Sequence, residues 1–247
     1  MDPAVLREDM VDSLQHASKR AIHTESIGLA MREVPRHEFV EEGEAYADRA
    51  FERYGTRILA PSTAARLLEA VAPEPDDRVL VVGAGVGYTA AVLAELVGPE
   101  NVHAVDIDRR LVYDARENLD RAGYGAVLVD CLDGAGGLPA YAPYDRILVE
   151  AAAIDPPARL VSQLAPEGRL VLPVGGGGGQ ELCRVDASGA VVEQRGTVVF
   201  RPLLVDGEQG TTPERNRTVR EDREHAARHF ERRRGWEQEW IDWDARY

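Results

Sequence analysis

Five short apolar runs alternate with helical segments through the middle of the chain, and this alternation constrains the fold more than any other feature. The runs are continuous rather than alternately apolar and polar, which is typical of strands buried on both faces of a sheet. Strands separated by helices predict an α/β fold with a Rossmann-like, doubly wound, mostly parallel sheet. The expected strands are 79–82, 102–105, 126–129, 146–149 and 170–174, and the expected helices are about 88–97, 109–121 and 157–164.

The segments on either side of this core have different patterns. Apolar residues recur at helical spacing within 4–34, which predicts two N-terminal helices, the second beginning after Thr24 and ending at Val34-Pro35. Residues 181–185, 191–195 and 198–203 read as short strands with turns between them, so we expect the sheet to finish in C-terminal antiparallel hairpin strands. The five glycines at 175–179 are interpreted as a connector between strands.

These patterns divide the chain into one large domain and a tail. We predict a domain at 1–212, with an N-terminal helical part at 1–60 and a core at 61–212, followed by a charged helical tail at 213–247. The tail carries an aromatic stripe at Trp236, Trp240, Trp243 and Tyr247, which we expect to dock on the body of the protein or on a second subunit.

A glycine-rich loop follows the first core strand and opens a helix. Glycines let a backbone approach a ligand closely, and the first turn of a helix offers unpaired N–H groups. Dinucleotide binding requires G-x-G-x-x-G, but Gly83, Gly85 and Gly87 give G-x-G-x-G, and Tyr88 stands where the third glycine would be. The spacing found here is instead the pattern of S-adenosylmethionine-dependent methyltransferases.

Two aspartates follow the next two predicted strands. Asp106 ends the second strand, where a carboxylate can accept hydrogen bonds from both ribose hydroxyls. Asp133 comes just after the third strand, where it can accept a hydrogen bond from an adenine amino group. Either aspartate alone is better explained as a helix cap or turn residue. Together with the glycine loop, the two aspartates predict a cofactor site at the carboxyl ends of the strands.

With these residues in hand, the chain resembles the protein-L-isoaspartate O-methyltransferase family. The likeness runs from about residue 10 to residue 203, and its most specific stretches are VPRHEFV at 34–40 and APYDRI at 142–147. It implies a Rossmann-like core and methyl transfer from S-adenosyl-L-methionine to the α-carboxylate of isoaspartyl residues in aged proteins. The cofactor-binding residues predicted from the loop and the resemblance are Gly83, Ala84, Gly85, Gly87, Tyr88, Asp106, Ile107, Asp133 and Gly134.

The acceptor side of the site departs from the family pattern. Segment 57–63, RILAPST, is the counterpart of the family's T-I-S-A-P-H-M, so Leu59 takes the place of the active-site serine and Ser62 that of a histidine. Leu204 stands where the family has a hydroxyl. A carboxylate nucleophile is already ionised near neutral pH and needs orientation rather than a base, so Leu59 need not abolish the reaction. Ser62 either supplies a substitute hydroxyl or caps the following helix. Leu59 and Ser62 are therefore the candidate catalytic positions.

Three functions remain open at this point. The first is an active carboxyl methyltransferase, and the second is a cofactor-binding relative without isoaspartyl repair activity that acts as a binding or regulatory subunit. The third is a methyltransferase for RNA or a small molecule, which needs a base or a positioned polar pair. Glu150, after the fourth core strand, is the one candidate base, with a surface or salt-bridged carboxylate as the alternative interpretation.

Composition limits the partners. A net charge of −14, with a single lysine among the 29 basic residues, disfavours binding to nucleic acid or an anionic membrane and suggests a salt-adapted, halophilic cytoplasm. The sequence has no apolar run long enough for a membrane span and no secretory signal pattern. Cys131 and Cys183 have no metal-ligand spacing. We therefore expect a cytoplasmic protein with no metal site, and the family resemblance implies that it acts on isoaspartyl proteins or peptides.

Overall fold

The computed structural model describes residues 2–40, 45–176 and 179–204. Within these ranges the helices are α1 Pro3–Gln15, α2 Glu25–Glu33, α3 Pro61–Val71, α4 Tyr88–Val97, α5 Arg109–Arg121 and α6 Ala158–Val161. The strands are β1 Phe51–Arg53, β2 Thr56–Ile58, β3 Val79–Val82, β4 Val102–Asp106, β5 Leu128–Cys131, β6 Tyr144–Val149, β7 Leu164–Gly176, β8 Gly179–Asp186 and β9 Val191–Val198.

Seven of these strands form one sheet in the order β5-β4-β3-β6-β7-β8-β9. The first five strands in this order are parallel, and β7, β8 and β9 pair as antiparallel hairpins. Strand β3 pairs with β4 on one side and β6 on the other, so the chain reverses its direction of travel across the sheet at β3. Ligands of open α/β sheets bind at the carboxyl ends of the strands at such a reversal. The predicted Rossmann-like sheet and its C-terminal hairpins are confirmed.

Apolar side chains on both faces of β3 explain why this strand reads as a continuous apolar run. Val79 and Val81 pack in one buried cluster with residues of α1 to α5. Leu80 and Val82 pack in a second cluster, which includes Leu160 of α6. Since alternate residues of a strand point to opposite faces, both faces of the sheet are covered and every β3 residue is buried.

The N-terminal part of the chain differs from the expectation for 1–60. Helices α1 and α2 confirm the two predicted helices, but β1 and β2 then form an antiparallel hairpin. Its turn is Tyr54-Gly55, with φ of 50° and 75°. Two consecutive positive φ values are typical of a two-residue turn whose twist matches the flanking strands. The predicted N-terminal helical part at 1–60 is therefore wrong for residues 51–58, which form two strands and a turn.

Three predicted boundaries also need correction. The strand expected at 126–129 begins at Leu128, because the preceding turn continues to Val127, whose N–H donates to the Tyr124 carbonyl. The helix expected at 157–164 is only the four-residue α6, since Gln163 already pairs with Tyr144 of β6. Residues 198–203 are not a strand of their own: β9 continues to Val198, and only an isolated bridge forms at Pro202.

The connector interpretation of the glycine run agrees with the pairing around it. Gly175 and Gly176 end β7, Gly179 begins β8, and Gly176 pairs with Gly179. The predicted tail at 213–247, its aromatic stripe and the boundary at 212 lie outside the described residues. No helix within the described ranges combines the length and the apolar character needed to cross a bilayer.

Candidate active site

A cavity of about 250 Å³ opens at the carboxyl ends of β3, β4 and β6. One end is lined by the glycine loop, by the end of β4 and by Gly134. The other end is lined by residues of β2, by Leu59 and by segment 199–204. The cavity therefore joins the predicted cofactor residues to the predicted acceptor wall.

The glycine loop holds its shape through backbone hydrogen bonds to β4. The N–H groups of Gly83 and Ala84 both donate to the Val105 carbonyl, at 2.8 and 3.0 Å. Gly83 and Gly85 have φ of 89° and 54°, which favour glycine. A Cβ on Gly85 would meet nothing within 4 Å, so this residue leaves open space above the loop. Gly83 and Gly85 form the floor of the cavity, whereas Ala84 lines only a smaller adjoining cavity.

Gly87 and Tyr88 face the protein interior rather than the main cavity. A Cβ on Gly87 would lie 3.3 Å from Leu119 Cγ, so its absence lets α4 approach α5. Tyr88 is buried, and its ring centroid is 5.7 Å from that of Phe39. Neither residue lines the 250 Å³ cavity. Their prediction as cofactor contacts is not supported by their positions, since both serve to pack the loop and helix.

Asp106 lies at the cavity and braces the loop. Its Oδ2 accepts from the Gly85 N–H and its Oδ1 from the Asp108 N–H, both at 2.9 Å. Burial raises the pKa of this carboxyl, while the backbone hydrogen bonds oppose the rise. Ile107 follows Asp106 in the cavity wall. The carboxylate oxygens of Asp106 retain further lone pairs, with which the group can accept hydrogen bonds from ribose hydroxyls.

Asp133 and Gly134, the two cofactor contacts predicted after the third strand, differ in their position relative to the cavity. Asp133 does not line the cavity; its Oδ1 accepts from the Ala135 N–H at 2.9 Å and caps a short 3₁₀ helix. Gly134 does line the cavity, and a Cβ there would lie 2.4 Å from Val82 Cγ1. Close packing against β3 therefore requires glycine at position 134.

Leu59 lies in the cavity wall, but Ser62 does not. The Ser62 N–H donates to Asp48 Oδ1 at 2.9 Å, and the Ser62 hydroxyl also hydrogen bonds to Asp48. The helix begins with Pro61, and its N-cap residue is Ala60. The N-cap interpretation of Ser62 is wrong because Ala60 takes that position, and the place of Ser62 outside the cavity lining does not support its prediction as a substitute hydroxyl.

Glu150 is neither a surface carboxylate nor part of an ion pair among the described residues. It lines the cavity beside Gly83, and its Oε1 is buried with no hydrogen-bond partner among the residues that the structure describes. Burial, with a smaller contribution from the nearby Asp106 carboxylate, raises the pKa of this carboxyl to about 7, while the Thr89 hydroxyl opposes the rise. The site therefore contains an acid that titrates near neutral pH.

Arg36 was missed as a site residue by sequence reasoning. It is fully buried; its Nε donates to the Ala45 carbonyl at 2.8 Å and its Nη2 to the Leu59 carbonyl at 2.6 Å. Its guanidinium carbon lies 4.5 Å from the centre of the Tyr88 ring. The only available signal was the place of this arginine inside the VPRHEFV stretch. Arg36 fixes the backbone of Leu59 against the glycine loop.

The strand order, the glycine loop and Asp106 at the sheet reversal define a Rossmann-like methyltransferase. The family model of protein-L-isoaspartate(D-aspartate) O-methyltransferase matches residues 6–209. The chain therefore belongs to the protein-L-isoaspartate(D-aspartate) O-methyltransferase family. Among the described residues, no three His, Cys, Asp or Glu side chains cluster as a metal site would require.

Individual relatives agree with this assignment. A protein-L-isoaspartate O-methyltransferase from Aeropyrum pernix is 47% identical over 190 residues, covering 73% of this chain and 72% of the relative. One from Roseiflexus sp. is 43% identical over 210 residues, covering 83% and 94%. A Plasmodium falciparum structure of this type, solved with S-adenosyl-L-homocysteine, superposes with a TM-score of 0.71 at 22% identity, covering 80% of this chain and 98% of that chain.

Proposed function

We propose that the protein is an S-adenosyl-L-methionine-dependent O-methyltransferase that methylates isoaspartyl carboxylates in aged proteins or peptides. The observation that carries the proposal is the single cavity between the glycine loop with Asp106 and the wall formed by Leu59 and segment 199–204. Membership of the family supports the reaction type. We further propose that the protein acts in the cytoplasm, as its acidic composition suggests.

The residues at the sheet reversal fit this cofactor. Asp106 would accept from the ribose hydroxyls, Ile107 and Gly134 would border the adenine, and Gly83 and Gly85 would pass beneath the methionine part. Open space above Gly85 and the lone pairs of Asp106 are the structural basis for this fit. When bound, the cofactor supplies an electrophilic methyl group on a sulfonium.

The protein's own part in the reaction is alignment and exclusion of water. An ionised carboxylate needs no general base. In-line displacement is accelerated mainly by holding the nucleophile and the methyl group close together and correctly aligned. Leu59, Phe200 and Leu203 provide an apolar wall that keeps water from this space. Leu59 lacks the hydroxyl that would orient the acceptor, and loss of one such hydrogen bond costs roughly 1–3 kcal/mol, or about ten- to a hundredfold in rate.

The test is methyl transfer from labelled S-adenosylmethionine to an isoaspartyl peptide. We expect turnover by the wild type, with the sequence-matched aspartyl peptide as the control acceptor. Leu59→Ser should raise kcat/KM by about tenfold because it restores an orienting hydroxyl in the wall. Absence of label on the isoaspartyl peptide with both proteins, while S-adenosylhomocysteine binds, would contradict the proposal.

A second candidate is methyl transfer to another acceptor that must lose a proton. Two observations favour it: Leu59 removes the family hydroxyl, and Glu150 carries a pKa of about 7 within the cavity wall. A general base works best when its pKa lies near the operating pH. This candidate gains support only if cofactor binds and the isoaspartyl peptide receives no methyl group.

A further inference from the structure

Two exposed arginines line the acceptor end of the cavity, and their side chains have no partner among the described residues. Arg57 belongs to β2, two residues before Leu59, and Arg201 belongs to segment 199–204. Neither side chain makes a hydrogen bond or an ion pair with any described residue. Arg201 Nη1 lies 3.9 Å from the position that a Cβ on Gly55 would occupy, so Arg201 reaches the turn of the β1–β2 hairpin that carries Arg57.

The position of Arg57 and Arg201 distinguishes them from other arginines of this acidic chain. The net charge is −14, and carboxylates are therefore in excess over cations. Several arginines elsewhere in the described ranges pair with carboxylates, as in Arg53–Asp114 at 2.8 Å and Arg146–Asp77 at 3.1 Å, and no arginine other than Arg57 and Arg201 is among the described residues that line the cavity. Glu52 even lies opposite Arg57 in the hairpin register, yet no salt bridge joins the two side chains. Within the described ranges, no carboxylate therefore pairs with the positive charge at the cavity mouth.

Charge is distributed unevenly along the cavity. Asp106 and Glu150 lie at the glycine-loop end, and Arg57 and Arg201 lie at the acceptor end, with Glu52 as the one acid beside them. This separation of charge is complementary to the charges of the two reactants in the proposed reaction. The cofactor carries a sulfonium cation, which is attracted to carboxylates, whereas the isoaspartyl acceptor carries a carboxylate, which a guanidinium binds through paired N–H donors.

We propose that Arg57 and Arg201 bind the carboxylate of the isoaspartyl substrate and supply the orienting contact that Leu59 and Leu204 lack. This inference rests on the proposed function and names the residues that recognise its acceptor. Because a guanidinium contact formed in the bound complex persists in the transition state, it changes KM more than kcat. The contact is exposed, so salt weakens it.

The experiment measures peptide binding separately from turnover. An isoaspartyl peptide is titrated calorimetrically into protein saturated with S-adenosylhomocysteine, and the same peptide with a carboxamide in place of the isoaspartyl carboxylate is the comparison ligand. The wild type should bind the carboxylate peptide more tightly than the carboxamide peptide. Arg57→Gln and Arg201→Gln should each weaken binding of the carboxylate peptide by about tenfold and leave the affinity for the carboxamide peptide unchanged. Arg159→Gln is the matched control, because Arg159 is exposed on α6 and lies outside the cavity lining.

The outcomes separate this inference from the proposed function. If wild type discriminates the two peptides through both arginines but transfers no methyl group, the inference stands and the proposed function fails. If wild type methylates the peptide and both glutamine variants keep its KM within twofold, the inference fails and the function stands. Equal binding of the two peptides to wild type, or no peptide binding at all, also overturns the inference.

Discussion

Replacing Glu150 with glutamine should change how stability depends on pH. The pKa of the buried Glu150 carboxyl is raised from 4.5 to about 7 by burial in the cavity wall. The folded protein therefore holds this proton over a range in which the unfolded chain has lost it, so Glu150 makes the fold less stable as pH rises from about 4.5 to about 7. A shift of this size corresponds to about 3 kcal/mol. Glu150→Gln carries no such charge and should not show this loss.

Calorimetric unfolding of the cofactor-free protein at about pH 5 and pH 8, in constant salt, gives the measurement. For a chain of this length, about 3 kcal/mol corresponds to roughly 6–12 °C in Tm. From the lower to the higher pH, the Tm of the wild type should therefore fall by this amount relative to the Tm of Glu150→Gln. Any unpaired amide that glutamine introduces has a cost independent of pH and cancels in the comparison. Exposed Glu167→Gln is the control and should follow the wild type. Parallel pH dependence of wild type and Glu150→Gln would refute the reasoning.

Two further substitutions test the packing that shapes the site. Gly134→Ala should destabilise the fold by about 1–3 kcal/mol in urea unfolding, because the added Cβ would lie 2.4 Å from Val82 Cγ1. Gly136→Ala is the control and should be tolerated, because a Cβ there would meet nothing within 4 Å. Equal stability of the two variants would contradict this prediction. Arg36→Leu should lower the free energy of unfolding by about 2–4 kcal/mol, since the carbonyls of Ala45 and Leu59 lose their buried donor, and a loss below 1 kcal/mol would show that Arg36 does not fix the acceptor wall.

The cofactor end of the site could be predicted from sequence because its signals are local. The signals are buried runs such as β3, the glycine spacing and Asp106 at the end of β4. Each lies within a short stretch of sequence, and the spacing and order of residues in that stretch indicate its structure. The same locality explains the partial failure at Gly87 and Tyr88. The sequence does not distinguish a glycine that lets a helix pack closely from a glycine that approaches a ligand. Only the position of α5 against Gly87 shows that this glycine is of the first kind.

The acceptor end could not be predicted because it is assembled from distant segments. The Ser62 N–H donates to Asp48 and the Leu59 carbonyl accepts from Arg36, and neither pairing follows from sequence spacing. Burial of Glu150 depends on how the glycine loop covers the end of β6. The hairpin of β1 and β2 was missed because three-residue strands are too short for a period to be recognised.

The most direct test of the account is calorimetric titration with S-adenosylhomocysteine of the wild type and of Asp106→Asn. We predict saturable one-to-one binding by the wild type and affinity at least about tenfold weaker in the variant, because the amide would replace a carboxylate oxygen that accepts from the Gly85 N–H and that we propose as the acceptor of the ribose hydroxyls. No binding heat with the wild type, or equal affinity in the two proteins, would contradict the assignment of this cavity as the methyl-donor site.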